Sequence, residues 1–230
     1  LTTTLPLDEW TGERVTKEQF REVEVEDLLP RKEIEINMRK IAHNLEGKRV
    51  MITGAAGSIG NGIVRQVAAF NPYSLILIDQ AETPLHALRL EIREHWKEVK
   101  THTIVADITN KSRLEKIFKD AEPDYIFHAA AYKHVPMMEA NVSEAIQTNI
   151  QGTKILADLA VKYHASKFVM VSTDKAVNPT NVMGCSKRIA EIYVQSLAKH
   201  IKDNNISSVQ FITTRFGNVL GSNGSVIPFF

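Results

Sequence analysis

The chain has 230 residues, of which 43% are hydrophobic and 24% are charged, and this composition excludes wholesale disorder, a collagen repeat and a coiled coil. Lys and Arg number 28 against 27 Asp and Glu, with no block of like charges, so the charge pattern of a nucleic-acid-binding protein is missing. The single cysteine, Cys185, excludes an internal disulfide, and no stretch approaches the roughly 20 apolar residues that span a bilayer. We therefore expect a cytoplasmic domain without a nucleic-acid partner. The start at Leu1 and the apolar end at Phe230 indicate a fragment cut at both ends.

The first 46 residues are predicted to form a separate N-terminal part. Residues 1–30 mix Thr, Pro and charged residues without a period, which predicts an arm. Apolar residues recur at helical spacings over residues 31–45. An amphipathic helix is therefore expected before the break at Gly47.

Residues 47–230 alternate short apolar runs with helical stretches, which is the signature of βαβ units. The predicted strands are residues 50–53, 75–78, 103–105, 125–129, 167–171 and 209–213. The predicted helices are residues 59–69, 83–98, 111–119, 143–162 and 184–202. The pattern predicts an α/β domain of the Rossmann type, with a doubly wound parallel sheet.

A glycine-rich turn follows the first predicted strand of this domain. Gly54, Gly57 and Gly60 recur every three residues before the next helix. Gly54 would allow the tight turn, Gly57 would let the backbone approach a pyrophosphate, and Gly60 would let the helix pack closely. Asp79 ends the second strand about 20 residues later, which is the spacing of the acid that binds a ribose 2′-hydroxyl. Because Asp79 would repel a 2′-phosphate, NAD is preferred to NADP.

Asp107 follows the third strand and has two interpretations, since it would serve equally well on the adenine side of the cofactor or at the start of a loop. The candidate cofactor-binding residues around the glycine turn and the strand ends are Gly54, Gly57, Ser58, Ile59, Gly60, Asp79, Gln80, Asp107, Ile108, Ala129, Ala130 and Ala131.

Four further segments carry a family resemblance. They are His128-Ala129-Ala130-Ala131-Tyr132-Lys133-His134-Val135-Pro136, Ser172-Thr173-Asp174-Lys175-Ala176, Pro179-Thr180-Asn181-Val182-Met183-Gly184 and Arg215-Phe216-Gly217-Asn218-Val219-Leu220-Gly221-Ser222. With the glycine spacing, they resemble the extended branch of the short-chain dehydrogenase/reductase superfamily. Within it they are most similar to the membrane-anchored bacterial UDP-N-acetylglucosamine 4,6-dehydratases of polysaccharide synthesis and protein glycosylation. The resemblance implies a homo-oligomer and an upstream domain that anchors the full-length protein in the inner membrane.

The resemblance also implies a lyase reaction on UDP-N-acetylglucosamine. NAD takes a hydride from C4, a base removes the acidified C5 proton, the C6 hydroxyl leaves as water, and the hydride returns to C6. On this resemblance Asp174 is the acid toward the C6 oxygen, Lys175 is the base at C5, and Thr173 is the hydroxyl that positions or relays the C4 proton. The alternative for Asp174 and Lys175 is a solvated ion pair in a loop.

One position departs from the superfamily pattern. The catalytic Tyr-x-x-x-Lys motif of the superfamily would place its tyrosine four residues before Lys187, where this chain has Met183. Residues i and i+4 share a helix face, so Lys187 can still meet the nicotinamide ribose, but a thioether has no proton to exchange. Methionine also occurs here in the membrane-anchored dehydratases, which favours another group supplying the chemistry.

Three residues are candidates for binding the UDP-sugar. Lys133 follows the fourth strand of the domain, and Arg215 and Asn218 follow the sixth. A forked guanidinium and a neutral amide would suit a pyrophosphate. Loop polarity for Lys133 and a structural role for Arg215 are the alternatives. No His, Cys and Asp cluster has metal-ligand spacing, so no metal is expected, and Cys185 is expected to be a buried bystander.

Two other functions compete with the dehydratase. A UDP-sugar 4-epimerase would share the fold, the cofactor and the redox step at C4, but it would not need Asp174 and Lys175. A non-catalytic NAD-binding module would account for Met183.

Overall fold

The computed structural model describes residues 2–4, 20–22 and 37–217, and it divides the chain into two compact units, residues 1–37 and 38–230. In the first unit, strand β1 (Thr2–Thr4) pairs antiparallel with β2 (Phe20–Glu22), which the sequence pattern did not indicate. The expected amphipathic helix is α1 (Met38–Leu45), and its predicted first residues lie outside the described part of the chain. The division precedes the predicted boundary at residue 46 because Leu45 belongs to a core cluster of the second unit.

The second unit is built on a six-stranded parallel sheet. Its strands are β3 (Arg49–Thr53), β4 (Ser74–Asp79), β5 (Lys100–Val105), β6 (Tyr125–His128), β7 (Lys167–Thr173) and β8 (Gln210–Phe216). They lie in the order β5-β4-β3-β6-β7-β8, so the order reverses between β3 and β6. This Rossmann topology confirms the predicted fold class. Ligands of such sheets bind in the crevice at the carboxyl ends of the strands where the order reverses.

Helices cover both faces of the sheet. They are α2 (Ser58–Ala68), α3 (Glu82–His95), α4 (Lys111–Ala121), α5 (Val135–Ala140), α6 (Val142–Glu144), α7 (Thr153–Lys162) and α8 (Val182–Asp203). In β3 the fully buried side chains alternate between the faces: Val50 and Ile52 join the cluster under α2 and α3, whereas Met51 joins the one under α4, α7 and α8. Burial on both faces gives a continuous apolar run, which is why the sequence predicts β3 and β4.

The helix predicted over residues 143–162 is interrupted in the structure. Between α6 and α7 lies a π-helical turn, Ala145–Gly152, in which Asn149 is fully buried. Gly152 packs on Ile108 so closely that a Cβ would lie 2.6 Å from the Ile108 Cδ1 atom. The helical period alone does not reveal this local widening, which positions the side chain of a buried asparagine.

Helix α5 occupies a segment for which the sequence pattern predicted neither a helix nor a strand. Its first turn contains Pro136, which is tolerated there because that turn needs no backbone donor. Within residues 37–217, no helix has both the length and the apolar character needed to cross a bilayer.

Candidate active site at the carboxyl edge of the sheet

The glycine turn joins β3 to α2 and closely approaches the segment after β6. Gly54 has a φ of +69°, and a Cβ there would lie 2.5 Å from the Ala130 backbone nitrogen. A Cβ on Gly60 would lie 1.9 Å from the Gly54 carbonyl oxygen, so only glycine lets α2 start against the turn. Gly57 is the N-cap of α2, and its own added Cβ would be 3.3 Å from the same oxygen. The glycines therefore let α2 begin directly against the turn, and a helix N-terminus favours an anion.

Asp79, the last residue of β4, holds this turn in place through hydrogen bonds to backbone N–H groups. Its Oδ2 atom accepts a hydrogen bond from the Ala56 backbone N–H at 3.0 Å, and its Oδ1 atom accepts one from the Ala81 N–H at 2.9 Å. Each carboxylate oxygen has two lone pairs, so acceptor capacity remains for a ribose diol. The carboxylate thus orders the loop on both sides while facing the crevice.

A pocket opens between the ends of β3, β4, β5 and β6. It is lined by Gly54, Ala56, Gly57, Ile78, Asp79, Gln80, Ala81, Pro84, Ala106, Asp107, Ile108, Ala129, Ala130, Ala131, Tyr132 and Thr148. Most of the candidate cofactor residues meet there. Ser58, Ile59, Gly60 and Lys187 do not line it, because the first three lie within the start of α2 and the last lies on α8. Tyr132 was missed, although it directly follows the three alanines.

Asp107 has the loop-starting role that the sequence allowed, and it also lines the pocket. Its Oδ1 atom accepts hydrogen bonds from the Thr109 N–H and the Thr109 hydroxyl, both at 2.8 Å, so it starts the loop before α4. It also lines the pocket beside the buried Ile108. Asp107 therefore starts the loop and also forms part of the pocket wall.

A buried hydrogen-bond chain connects the glycine turn to the π-helical turn. His128 Nδ1 lies 2.8 Å from the Thr53 hydroxyl, and its Nε2 lies 2.8 Å from the Thr153 hydroxyl. Thr153 in turn donates to the Asn149 carbonyl at 2.7 Å, so it must accept from Nε2–H, and Nδ1 accepts from Thr53. Burial, with the nearby Lys187 charge, lowers the pKa of His128 to about 3. The imidazole is neutral in one defined tautomer.

Asn149 fixes the pocket wall to helix α8. Its Oδ1 atom accepts from the Tyr132 N–H at 2.9 Å, and its Nδ2 donates to the Tyr132 carbonyl at 3.0 Å and to the Ser186 hydroxyl at 2.9 Å. Ser186 donates onward to the Met183 carbonyl at 2.7 Å. No sequence motif pointed to Asn149, because its partners lie 17 and 37 residues away.

Thr173, Asp174 and Lys175 stand together at the carboxyl end of β7. The Thr173 hydroxyl donates to Asp174 Oδ1 at 2.9 Å, and Lys175 Nζ donates to the same oxygen at 3.3 Å. These contacts, with the Thr173 hydrogen bond foremost, hold the pKa of Asp174 below its usual range despite slight burial. A Cβ on Gly217 would lie 3.8 Å from Asp174 Oδ2, so the chain after β8 passes beside the carboxylate. Asp174 is therefore ionised at neutral pH.

Lys187 lies beneath this group on helix α8. Its Nζ atom donates to the Val171 carbonyl of β7 at 2.7 Å, and the residue is only 5% exposed. Burial lowers the pKa of Lys187 to about 8, although Glu191 opposes the shift. Met183, one turn before it, is 3% exposed and packs with Met138 and Ala145. Met183 thus contributes apolar packing at this position and supplies no ionisable group.

The contacts of Arg215 fit a structural role rather than a free pyrophosphate-binding side chain. Its guanidinium forks onto the fully buried Glu191, with Nε–Oε1 at 2.9 Å and Nη2–Oε2 at 2.6 Å. Burial opposes ionisation of Glu191, but hydrogen bonds led by Arg215 and including Arg188 outweigh it and lower the pKa to about 2. A substrate pyrophosphate would have to compete with this ion pair.

Three other predicted positions have different outcomes. Lys133 is exposed just before α5 and does not line the pocket, and Asn218 lies outside the described residues. Cys185 was predicted to be buried, and this is wrong: it is exposed on α8, because the residues at 183, 186 and 187 form the buried side of that helix. Among residues 37–217, no three His, Cys, Asp or Glu side chains gather as metal ligands.

A family model described as polysaccharide biosynthesis protein matches residues 50–230 of the chain. The capsular polysaccharide biosynthesis protein CapD of Staphylococcus aureus is 47% identical over 92% of this chain and 35% of its own length. An inverting UDP-N-acetylglucosamine 4,6-dehydratase of Campylobacter jejuni is 35% identical over 80% of this chain and 53% of its own length. A UDP-glucose 4-epimerase of Rickettsia bellii is 34% identical, with coverages of 80% and 52%. The chain therefore spans between one third and one half of these relatives.

Solved structures share the fold. Pen from Bacillus thuringiensis is 34% identical and superposes with a TM-score of 0.74 over 80% of this chain and 55% of that chain. The Bordetella bronchiseptica enzyme WbmG, solved in complex with NAD, is 20% identical and superposes with a TM-score of 0.60 over 74% of this chain and 53% of its own. At that identity, the second likeness concerns the fold alone.

Proposed function

The chain belongs to the polysaccharide biosynthesis protein family, and from this premise we propose that it is the cofactor-binding and catalytic part of an NAD-dependent UDP-N-acetylglucosamine 4,6-dehydratase. The observation that carries the proposal is the Thr173, Asp174 and Lys175 group at the carboxyl end of β7, on the same edge of the sheet as the glycine turn. The similarity to the Campylobacter jejuni dehydratase supports the reaction. The product would be a UDP-4-keto-6-deoxy sugar for surface polysaccharide or glycoprotein synthesis.

The residues around the glycine turn fit a dinucleotide. Side chains at Gly54 and Gly60 would collide with the backbone of Ala130 and of the turn itself, so the glycines let α2 begin close to the ends of β3 and β6. A helix N-terminus in that place favours a pyrophosphate. Asp79 presents a carboxylate where a ribose diol would lie. When bound, NAD would supply the reversible oxidation at C4 of the sugar. The protein's own part is to hold the cofactor and to move the protons.

The Thr173 to Asp174 hydrogen bond suggests how the leaving group is protonated. Asp174 is ionised in the resting site, so it has no proton to give. When the C4 hydroxyl is oxidised, its proton can pass to the Thr173 oxygen while the Thr173 proton moves along the 2.9 Å hydrogen bond to Asp174. Asp174 then carries the proton that the C6 hydroxyl needs to leave as water. The proton lost at C4 is the one used at C6.

Lys175 is the base at C5 in this proposal. Its Nζ lies beside Asp174, and its ammonium first gives a proton to solvent. The resulting amine takes the C5 proton once the C4 ketone has acidified that position, and it returns a proton to C5 when the hydride adds at C6. Lys187 would contribute positive charge from the α8 side of the site, where its Nζ donates to the Val171 carbonyl of β7. Met183 excludes water from that side without taking part in proton transfer.

One experiment tests the reaction. The complete protein is incubated with NAD and UDP-N-acetylglucosamine in D₂O, and the sugar is followed by NMR. The proposal expects a 4-keto-6-deoxy product, with exchange of the C5 proton for deuterium. Unchanged sugar would support a non-catalytic NAD-binding module and would refute the proposal.

A UDP-sugar 4-epimerase is the second candidate, because a UDP-glucose 4-epimerase is also among the relatives. An epimerase returns the hydrogen to C4 on the other face and leaves C5 and C6 untouched. It would therefore give a C4 epimer without deuterium at C5. The same NMR spectrum separates the two reactions.

A further inference from the structure

A second concave surface lies at the opposite, amino edge of the sheet. This groove of about 650 Å³ runs beside the start of β5 and between α3 and α4, and it is larger than the pocket of about 250 Å³ beside the glycine turn. It is bordered by the first residues of three strands, Arg49, Ser74 and Lys100. The proposed reaction does not use this edge, because the catalytic group stands at the strands' carboxyl ends.

The groove carries a strong positive charge. Arg89, Lys100, Arg113 and Lys116 line it and are exposed, and none of the four makes an ion pair within residues 37–217. Asp120 is the only acidic residue in the lining. A fifth cation of the lining, Arg49, is already bonded to Asp124 and Glu122, so its charge is balanced. Four cations without an ion pair, set against one carboxylate in the lining, favour an anionic partner.

The backbone of β5 narrows the choice of partner. In the described sheet β5 pairs only with β4, so its other edge is open. The Ala106 N–H bonds back to Asp79 on the β4 side. Because successive residues of a strand face opposite sides, the N–H and C=O groups of Thr101, Thr103 and Val105 point to the open edge. The strand contains no proline to block pairing.

We propose that the open edge of β5, together with the cationic groove, docks an acidic peptide segment, which adds to the sheet as a further strand. An extended peptide satisfies alternating N–H and C=O groups, which neither a nucleic acid nor a lipid headgroup can do. Acidic side chains on that peptide would meet Arg113 and Lys116 on one side of the sheet and Arg89 on the other side. The positive charge of the groove would attract the acidic peptide, and backbone pairing with β5 would fix its orientation.

The test uses the 230-residue chain and a fluorescent peptide of four Thr-Glu repeats, and binding is followed by fluorescence anisotropy. We expect saturable binding that weakens with salt, and no binding of the matching peptide of four Thr-Lys repeats. The double variant Arg113→Glu/Lys116→Glu should lose at least tenfold in affinity. The matched variant Lys111→Glu/Lys119→Glu changes the same charge on exposed positions of α4 outside the groove, and it should lose less than threefold.

A second measurement tests the strand pairing without any substitution. Hydrogen exchange of the wild-type chain should slow at the Thr101 and Thr103 amides when the Thr-Glu peptide binds. Thr103→Pro, which removes one outward N–H, should weaken binding at least tenfold, whereas Thr103→Val should not. Binding without protection of these amides would overturn the proposal. So would equally tight binding of phosphatidylglycerol vesicles or duplex DNA, which would indicate a general anion surface.

Discussion

The hydroxyl of Thr173 donates a hydrogen bond of 2.9 Å to Oδ1 of Asp174 at the point where β7 ends. The bond helps to keep the carboxylate charged, since it stabilises the ionised form. A charged carboxylate cannot itself protonate a leaving hydroxyl. In the proposed reaction, the pair would therefore receive a proton from the substrate before it returns one.

Asp174→Asn and Lys175→Ala should each reduce dehydration at least 100-fold, because each removes an acid or base from the reaction. Affinity for NAD should change less than twofold, since the proposed dinucleotide site is at the glycine turn. Turnover is measured by NMR and NAD affinity by calorimetry, with Lys111→Ala on the exposed side of α4 as the control. Near-normal turnover in either variant would remove that residue from its role.

The Asp79 carboxylate should make the chain bind NAD at least tenfold more tightly than NADP, because a 2′-phosphate beside it carries a like-charge cost. Asp79→Asn should reduce this preference. It should also weaken NAD binding, since the variant disturbs the hydrogen bond to the Ala56 N–H. Calorimetry with both cofactors checks this prediction, and equal affinities in the wild-type chain would contradict it.

Met183→Leu should leave turnover within about threefold of wild type, because a volume-conserving apolar change keeps the packing against Met138 and Ala145. Met183→Tyr should destabilise the chain, since a larger side chain must enter a site that is only 3% exposed. Turnover and thermal unfolding of both variants are measured together. A large loss of turnover in a stable Met183→Leu variant would show that the thioether itself takes part.

Acid should destabilise the chain partly through His128. Its pKa is about 3 when folded and about 6.5 when unfolded, so the unfolded state binds one more proton between these values. This contribution to stability is complete above pH 6.5 and falls as the pH drops toward 3, by about 2 kcal/mol between pH 7 and pH 5. Urea unfolding at both pH values measures it. His128→Gln should lose this part of the pH dependence, and His95→Gln, at an exposed position, should keep it.

Arg215→Ala should lower the midpoint of urea unfolding several times more than Arg65→Ala. Both arginines fork onto a glutamate, but Glu191 is fully buried whereas the pair of Arg65 with Glu91 is partly exposed to solvent. Removing the partner of a buried carboxylate leaves its charge poorly compensated, while exposed pairs contribute little. Equal midpoints for the two variants, with a raised KM for the UDP-sugar in Arg215→Ala alone, would instead assign Arg215 to the substrate.

The sequence by itself determined the features that are local along the chain. Three features each lie within a few residues of a strand. The β3-turn-α2 unit and Asp79 adjoin β3 and β4, which are buried on both faces, and the Thr173 group ends β7, whose residues alternate between buried and half-buried. Such strands are continuous apolar runs, and the polar or glycine residues that follow them mark the functional edge. The fold class, the order of the elements and the pocket residues near the strand ends could therefore be predicted.

Only the tertiary structure decided which distant groups meet. Asn149 forms hydrogen bonds with Tyr132 and Ser186. His128 forms hydrogen bonds with Thr53 and Thr153. Arg215 pairs with Glu191, which lies 24 residues earlier in the chain. None of these pairs has a fixed spacing, because each is set by how two elements pack across the sheet. The π-helical turn and the exposed Cys185 follow from the same packing. A periodic pattern identifies a helix, but the neighbouring elements decide where that helix widens and which of its sides is buried.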